Sequence, residues 1–569
     1  MRSHIGCLSR SPVKTRSYCA WLRKWSARLI GALLPAALLA AGCGQIFPVV
    51  TQTADQPALT QSSLAKLPTA TSTPKQPPTA TLQPTSAITV RPEELRGVFI
   101  RFWHPWSGSL GQVIERLVQE FNLTNSWGIL VTAVPYPGYD ALEKSLETSF
   151  QTSGAPQVTL GYLHQLLAWD KSHNLVDLLP YVNDSQWGLT ATEQADFYPL
   201  FWNQDVIDGR RLGMPAFRSG QLLLYNQSWA RELGFEQPPA NPDQFMQQAC
   251  AAASANQRDK QPENDGTGGW IISTDYSAML GWIYAFGGDV LKSPEPGLGQ
   301  SVYQFDTPEN EEAFTFLRAT YQNSCAWLPG SDYPENQFAR RLGLFATASV
   351  LDLPYQEEAF RSANNQDQWT VLAFPSAELQ PVFDAYGPSY VLLPTSAQQQ
   401  LAAWLFVRWL AAPPQHARLV EAAGALPVRQ SALESLQTYS SNHPQWAAAV
   451  KLIPSARGEP PFQSWGQARR ALGDAATQLF RSYFTIDQVP TLLSYLDAFV
   501  TELQLGPDLE SAFATSTNTS TPSATPTRTP IPSPTSTATR TPRPPTATST
   551  ATNTRRPPAT PSVSSSYTP

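Results

Sequence analysis

Two spacings of apolar residues alternate along the middle of the chain. Residues 98–102 (VFIRF) form a short β-rich run. After the loop WHPWSGS, Val113, Ile114, Leu117, Val118 and Phe121 recur at the spacing of one helix face, and a second β run covers 129–134 behind Gly128. Strand, helix and strand within residues 98–134 predict a βαβ unit, whose right-handed crossover makes the strands parallel. The pattern repeats with a helix over 141–150, a strand over 157–160 and a helix over 164–169. The fold class read from this is α/β.

From residue 212 the rhythm changes. The run LLLY at 222–225 leads to a helix start at Gln227, and helical stripes dominate to 361. β runs return at 370–374 (TVLAF) and 390–393 (YVLL), and helices fill 401–424 and most of 431–505. This order predicts two lobes with a chain that crosses between them more than once. The expected segments are 91–216 in lobe 1, 217–369 in lobe 2, 370–426 back in lobe 1, and 427–514 as C-terminal helices of lobe 2. No fixed-period repeat is present, which argues against a solenoid or propeller.

At both ends the patterning stops. Residues 515–569 are Thr, Pro, Ser, Ala, Asn and Arg with almost no apolar side chain, so they read as a disordered tail. Residues 43–90 are a similar Pro/Thr-rich tether. In residues 1–42 a basic stretch without acids precedes the apolar run 29–41, a secretory signal too short to span a bilayer. The small residues Ala40, Ala41 and Gly42 before Cys43 resemble the lipobox of bacterial lipoproteins, with its usual leucine one place further back at Leu39. That resemblance implies a lipid on Cys43 and a membrane-anchored, extracytoplasmic protein; plain cleavage near Ala41 is the alternative. The most apolar later stretch, 401–412, contains Arg408 and ends at Pro413-Pro414, so it reads as a buried helix.

Export changes how the cysteines and charges are read. Cys7 and Cys19 leave with the signal, and an oxidising exterior permits a Cys250–Cys325 disulfide, against two separate buried thiols. The chain's net charge of −6 is a sum over unlike parts. The signal carries +7, the tether +1 and the tail +5, leaving −19 on the folded body. An acidic body disfavours nucleic acid as a partner and suits a neutral ligand.

The common catalytic and cofactor motifs are absent: no G-x-S-x-G, H-E-x-x-H, G-x-x-x-x-G-K, G-x-G-x-x-G after a strand, or C-x-x-C. No metal or cofactor is expected, and binding is favoured over catalysis. The positive signal is aromatic. Trp103 and Trp106 follow the first strand, Tyr136 and Tyr139 the second, Trp282 precedes Phe286-Gly287-Gly288-Asp289, and Trp465 lies in PPFQSWG. Rings in loops beside Asp, Asn and Arg match the apolar faces and hydroxyls of a sugar.

FWHPWSG, LLLYNQSWARELGF with PPANPDQF, WIYAFGGD, YGPSYVLLPTSAQQQLAAWLFVRWL and GALPVRQSAL, in this order, resemble family 1 extracellular solute-binding proteins of the maltose-binding type. The resemblance implies a lipoprotein receptor of an ABC importer, a two-lobed periplasmic-binding-protein-like fold, a carbohydrate ligand in the cleft, hinge closure, permease subunits as partners and a monomer. It places the loop from Trp103, the Tyr225-Asn226 turn, the Gly288-Asp289 loop and Trp465 on the cleft walls. Trp106, Tyr139, Trp282 and Trp465 are expected to stack on the ligand, and Asp140, Arg218, Asn226, Asp289 and Arg429 to supply polar contacts. The alternatives are a glycerol-phosphodiester, polyamine or peptide ligand in the same fold, or a surface glycan-processing enzyme or adhesin.

Overall fold

Strand β1 (Phe99–His104), helix α1 (Gly108–Thr124) and strand β2 (Leu130–Pro135) form the expected βαβ unit, with β1 and β2 parallel from Phe99↔Leu130 to His104↔Pro135. Helix α1 forms because Ile114, Leu117, Val118 and Phe121 make one continuous buried stripe. In the computed structural model, residues 86–516 are described apart from 153, 293–300, 331–332 and 379, with side chains to Leu503. The expected signal, Cys43, nearly all of the tether and the tail beyond Ser516 lie outside the described residues.

After α2 (Tyr139–Phe150), β3 (Val158–Gly161) pairs with β1, and α3 (Leu163–His173) follows. The short β4 (Met214–Pro215) closes the far edge of this sheet. The chain then leaves through Phe217 and Arg218 and enters a second sheet as β5 (Ser219–Asn226), buried along its whole length. Helix α4 (Pro242–Arg258), β6 (Gly268–Ile271), α5 (Tyr276–Ala285), α6 (Pro308–Gln322), β7 (Ala326–Trp327), β8 (Gly343–Ser349), α7 (Leu353–Ser362), β9 (Trp369–Leu372) and β10 (Phe383–Tyr386) complete most of this lobe. The chain returns to the first sheet as β11 (Ser389–Leu392), then α8 (Ala397–Leu410) and α9 (Pro413–Ala423). It ends in the second lobe with β12 (Ala456–Gly458), α10 (Trp465–Leu479) and α11 (Val489–Ser516).

The first sheet has the order β2-β1-β3-β11-β4; the second runs β7-β6-β8-β5-β10-β12, with β9 also on β5. One expectation fails here. The run at 370–374 was assigned to lobe 1, yet Trp369–Leu372 pairs antiparallel with β5 from Asn226 to Leu223. Trp369 and Val371 face the second lobe's core. A short apolar run carries no mark of which sheet will bury it, and the return to lobe 1 comes only at Gly387–Ser389.

Helix α8 buries Leu401 to Val407 without a break, and Arg408 reaches out to donate to the Trp187 carbonyl at 3.0 Å. No helix among the described residues is long and apolar enough to cross a membrane. Cys250 on α4 and Cys325, just past α6, form a disulfide with Cα atoms 4.3 Å apart. It closes a loop of 75 residues within the second lobe.

Candidate functional site

The crossings between the lobes are fastened by one side chain. Arg218 is 1% exposed, and its guanidinium donates to Gln204 Oε1 (3.1 Å), the carbonyls of Phe217 (3.0 Å) and Pro388 (2.9 Å), Ser389 Oγ (3.1 Å) and Asp205 Oδ2 (3.4 Å). Its backbone exchanges hydrogen bonds with Leu426 at 3.1 and 2.8 Å. Ser389 Oγ donates in turn to Asp205 at 2.5 Å. Arg218 thus ties its own crossing to the one at Pro388–Ser389 and to the strand-like stretch at Leu426. Every buried charge in this knot has a partner, the condition for holding an ion pair in the interior.

Beside the knot lies a cleft walled by both lobes. Lobe 1 contributes Tyr139 at the start of α2, and Tyr162 with His164 at the start of α3. Lobe 2 contributes Asp275, Tyr276 and Ser277 at the start of α5, Asp384 and Tyr386 on β10, Glu459 just past β12, and Trp465 and Arg469 on α10. Tyr139 and Tyr162 rings lie 5.0 Å apart. The Arg469 guanidinium sits 5.7 Å from the Tyr162 ring and 4.9 Å from that of Tyr276, and donates to the Tyr276 hydroxyl at 2.9 Å. Tyr139, Tyr162, Tyr276, Tyr386 and Arg469 keep part of their surface accessible, and Asp275 is exposed. A cavity of about 500 Å³ opens on this region between Leu163, Leu200, Gln204 and Ile207 of lobe 1 and Gly458, Glu459 and Pro461 of lobe 2.

Helices α3 and α10 meet across the cleft so closely that a Cβ on Gly466 would lie 2.7 Å from the His164 ring. Only glycine allows the approach, which brings the two lobes together here.

Below the tyrosines the polar groups are only loosely paired. Both carboxyl oxygens of Asp384 (fully buried), Glu459 Oε1, Ser277 Oγ, Trp465 Nε1 and Tyr390 Oη make no hydrogen bond of ordinary length, although Ser277 lies close enough to Asp384, and Trp465 to Glu459, to pull those carboxyls down. Burial raises the Asp384 carboxyl well above the carboxylate range, with neighbouring Glu459 adding to the rise. Burial also lifts Glu459 to about 7 against the pull of Arg469, and pushes the Tyr162 phenol to about 12. The phenols of Tyr139, Tyr276 and Tyr386 rise for the same reason. Buried polar groups are nearly always hydrogen-bonded, so this many orphans in one place mark a site completed by something else. Aromatic faces, buried acceptors and an indole donor can grip hydroxyls and apolar ring faces together. Among the described residues no cluster of three His, Cys, Asp or Glu is set to hold a metal.

Of the residues singled out from the sequence, Tyr139, Trp106 and Trp465 border this cluster. Trp106 lies beside the Tyr139 hydroxyl, packed against His104 and Phe217. Trp465 is 1% exposed and turns its edge toward Glu459. Asp140 is exposed in the first turn of α2.

The others have structural roles. Trp282, expected to stack on a ligand, is fully buried among Phe245, Trp270, Phe316 and Phe374, because α5 is apolar on all sides and runs through the lobe's interior. Trp103 packs with Tyr136 in a satellite core of lobe 1. Tyr225 stacks on Phe345 inside lobe 2. Asn226 caps the next helix, accepting from Trp229 N–H at 2.9 Å, and donates to Asp367. Gly288 makes a turn where a Cβ would meet Asn310 Oδ1 at 2.1 Å. Asp289 pairs with Arg457 at 2.6 Å. Arg429 is locked to Asp196 at 2.6 Å and to the Ala411 carbonyl at 3.1 Å. Arg218, expected to touch ligand, spends its donors on the hinge.

Tyr162, Tyr276, Tyr386, Asp384, Glu459 and Arg469 were not read from the sequence. Two of them stood in view. Glu459 directly precedes the prolines of PPFQSWG, and Tyr276 follows Asp275, whose carboxylate caps α5 by accepting from Ser277 N–H at 2.8 Å. The others need the two lobes brought together before they become a set.

A family model described as bacterial extracellular solute-binding protein matches residues 116–453. A binding protein of Brucella abortus is 24% identical over 387 residues, 66% of this chain and 86% of the relative. Among solved structures, the sugar-binding protein MalE of Xanthomonas citri superposes with a TM-score of 0.61 at 19% identity, over 74% of this chain and all of that one. UgpB of Mycobacterium tuberculosis, in complex with glycerophosphocholine, has a TM-score of 0.57 at 18% identity, over 71% of this chain and 99% of that one.

Proposed function

The chain belongs to the bacterial extracellular solute-binding proteins, and from that premise we propose that it is the receptor of an ABC importer that closes its lobes on a sugar or oligosaccharide. The observation that carries the reading is the tyrosine-lined cleft above buried acceptors and donors without partners. A ligand with hydroxyls on an apolar ring would satisfy those atoms and fill the rings' faces. Closure then follows from its greater affinity for the closed form, and a permease distinguishes closed from open. Export and a lipid on Cys43, with the tether as spacer, fit such a receptor and rest on the sequence of the first 90 residues.

A phosphodiester ligand, as in the UgpB complex, is disfavoured by charge. Arg218 is spent on Asp205, which leaves Arg469 as the guanidinium beside the cleft's tyrosines, and the burial that raises the Asp384 and Glu459 carboxyls marks a floor short of positive charge. The test is a thermal-shift and calorimetric panel of maltose, maltotriose and glycerophosphocholine on the purified chain. Binding of a sugar, weakened by Tyr276→Ala, supports the reading. Binding of glycerophosphocholine alone would replace it.

A further inference from the structure

A second, smaller cavity of about 180 Å³ lies within lobe 2, at the carboxyl ends of β6 and β8. In α/β sheets these strand ends are where ligands collect. Its polar walls are Gln221, Ser273, Glu335, Thr347, Asp352 and Gln356. None of the described residues lining it is basic. The volume is many times the ~10–15 Å³ that one water needs, and too small for a disaccharide.

The lining groups differ in how they are committed. Thr347 Oγ1 accepts from Trp270 Nε1 at 3.0 Å, and Ser273 Oγ from Asp275 N–H at 3.2 Å. One Asp352 oxygen accepts from Ser349 N–H at 3.1 Å. Gln356 is fully buried; its Nε2 donates to the Glu335 carbonyl at 3.0 Å, which turns Oε1 the other way, and that oxygen has no partner. Reversing the amide would set two oxygens against each other. Ser273 and Thr347 keep hydroxyl protons that can still donate, and the groups that only accept are Gln356 Oε1 and the carboxylates of Glu335 and Asp352, with no cation among the lining residues.

The pocket adjoins the cleft. Gln221 Nε2 reaches the Tyr386 hydroxyl at 3.5 Å, and the field of Asp275 is felt at Asp352. Burial raises the Asp352 carboxyl, and Glu335 and Asp275 raise it further, the environment of an anion that lacks its counter-charge.

We infer that Glu335, Asp352 and Gln356 Oε1 form a subsite for a primary ammonium group, so that the solute entering the cleft carries an amine. This rests on the reading of the cleft as a solute site. An –NH₃⁺ presents three N–H donors and no acceptor, which matches three acceptors better than a hydroxyl does. The charge–charge attraction in a partly buried pocket gives the amine an advantage over its neutral analogue.

The experiment uses the whole mature chain and measures melting temperature with 50 mM ethanolammonium chloride, against equal concentrations of sodium chloride, calcium chloride and ethylene glycol. Wild type is expected to gain about 2 °C or more with ethanolammonium alone, as any ligand specific to the native state produces. Glu335→Gln and Asp352→Asn are expected to lose that gain. Glu335→Gln leaves the helix cap at Ser349 untouched, so it stays interpretable if Asp352→Asn is poorly folded. No gain in wild type, an equal gain with calcium, or a gain kept in both variants would overturn the subsite. Calorimetry with glucosamine disaccharide and with cellobiose then separates the two claims. A preference of tenfold or more for the amine, abolished by Glu335→Gln, supports the subsite. Ethanolammonium stabilisation with neither disaccharide binding would overturn the sugar reading of the cleft and leave the subsite standing.

Discussion

The hinge knot and the cleft floor are neighbouring buried clusters of charge, and they differ in one respect. Around Arg218, Asp205 and Ser389 the donors and acceptors meet; around Asp384, Glu459, Ser277 and Trp465 they approach without closing a hydrogen bond of ordinary length. A protein interior tolerates buried charge when it is paired, and an unpaired group costs about 1–3 kcal/mol or more. The satisfied cluster therefore belongs to the fold, and the unsatisfied one belongs to a partner that the fold leaves room for.

Breaking the knot is expected to have the largest effect. Arg218→Met leaves Asp205 buried without its cation and should cost about 3–5 kcal/mol in urea or guanidinium unfolding. A cost near zero would mean that the knot is dispensable. Removing the disulfide with Cys250→Ser and Cys325→Ser should cost about 4 kcal/mol for a loop of 75 residues. That loss should leave solute affinity unchanged, since α4 lies away from the cleft.

At the cleft the effect should shift from stability to binding. Tyr276→Ala should weaken solute binding by about tenfold to a hundredfold, roughly 1–3 kcal/mol, with little change in unfolding. Trp282→Phe should do the reverse: about 1–2 kcal/mol of stability lost through a core gap, and affinity kept. Titrating both variants against the solute that wild type binds checks the pair.

The smallest effects concern pH. His164 is held neutral down to about 3 by burial, with Arg469 and Arg470 reinforcing it. Freed by opening it would titrate near 6.5. The open form therefore binds more protons between those values, and closure weakens as pH falls below about 6.5. Glu459 acts oppositely: raised to about 7 where the lobes meet, it would take up a proton as they come together and favours closure as pH falls through 7. Below pH 6.5 the two groups pull in opposite directions, so wild-type affinity measured from pH 5 to 6.5 should change little; His164→Gln should let affinity rise as pH falls through that range, and Glu459→Gln should let it fall.

The same contrast explains what could be read from the chain. The βαβ start, the alternation of strand and helix and the buried α8 follow from local periodicity, which needs no knowledge of distant residues. The family resemblance rests on ordered motifs, and those motifs include the caps and turns that build the lobes. Asn226 and Gly288 stood out for that reason, and both serve as cap and turn. Trp282 stood out because a tryptophan near Gly-Gly-Asp looks like a loop residue, whereas it is the wholly apolar interior of α5. The cleft set is different in kind. Tyr139, Tyr162, Tyr276, Asp384, Glu459 and Arg469 come from six different elements or their edges, so no spacing links them. Nor does the style of the run at 370–374 reveal its sheet, since pairing with β5 is decided by the partner strand.

The most direct test of the difference between the two clusters is to replace Asp384 by leucine and measure both unfolding free energy and calorimetric solute affinity. If its unpartnered carboxyl is kept for a ligand, stability should stay level or rise by about 1–3 kcal/mol while affinity falls at least tenfold. A loss of stability with unchanged affinity, the behaviour expected of Arg218, would contradict the account.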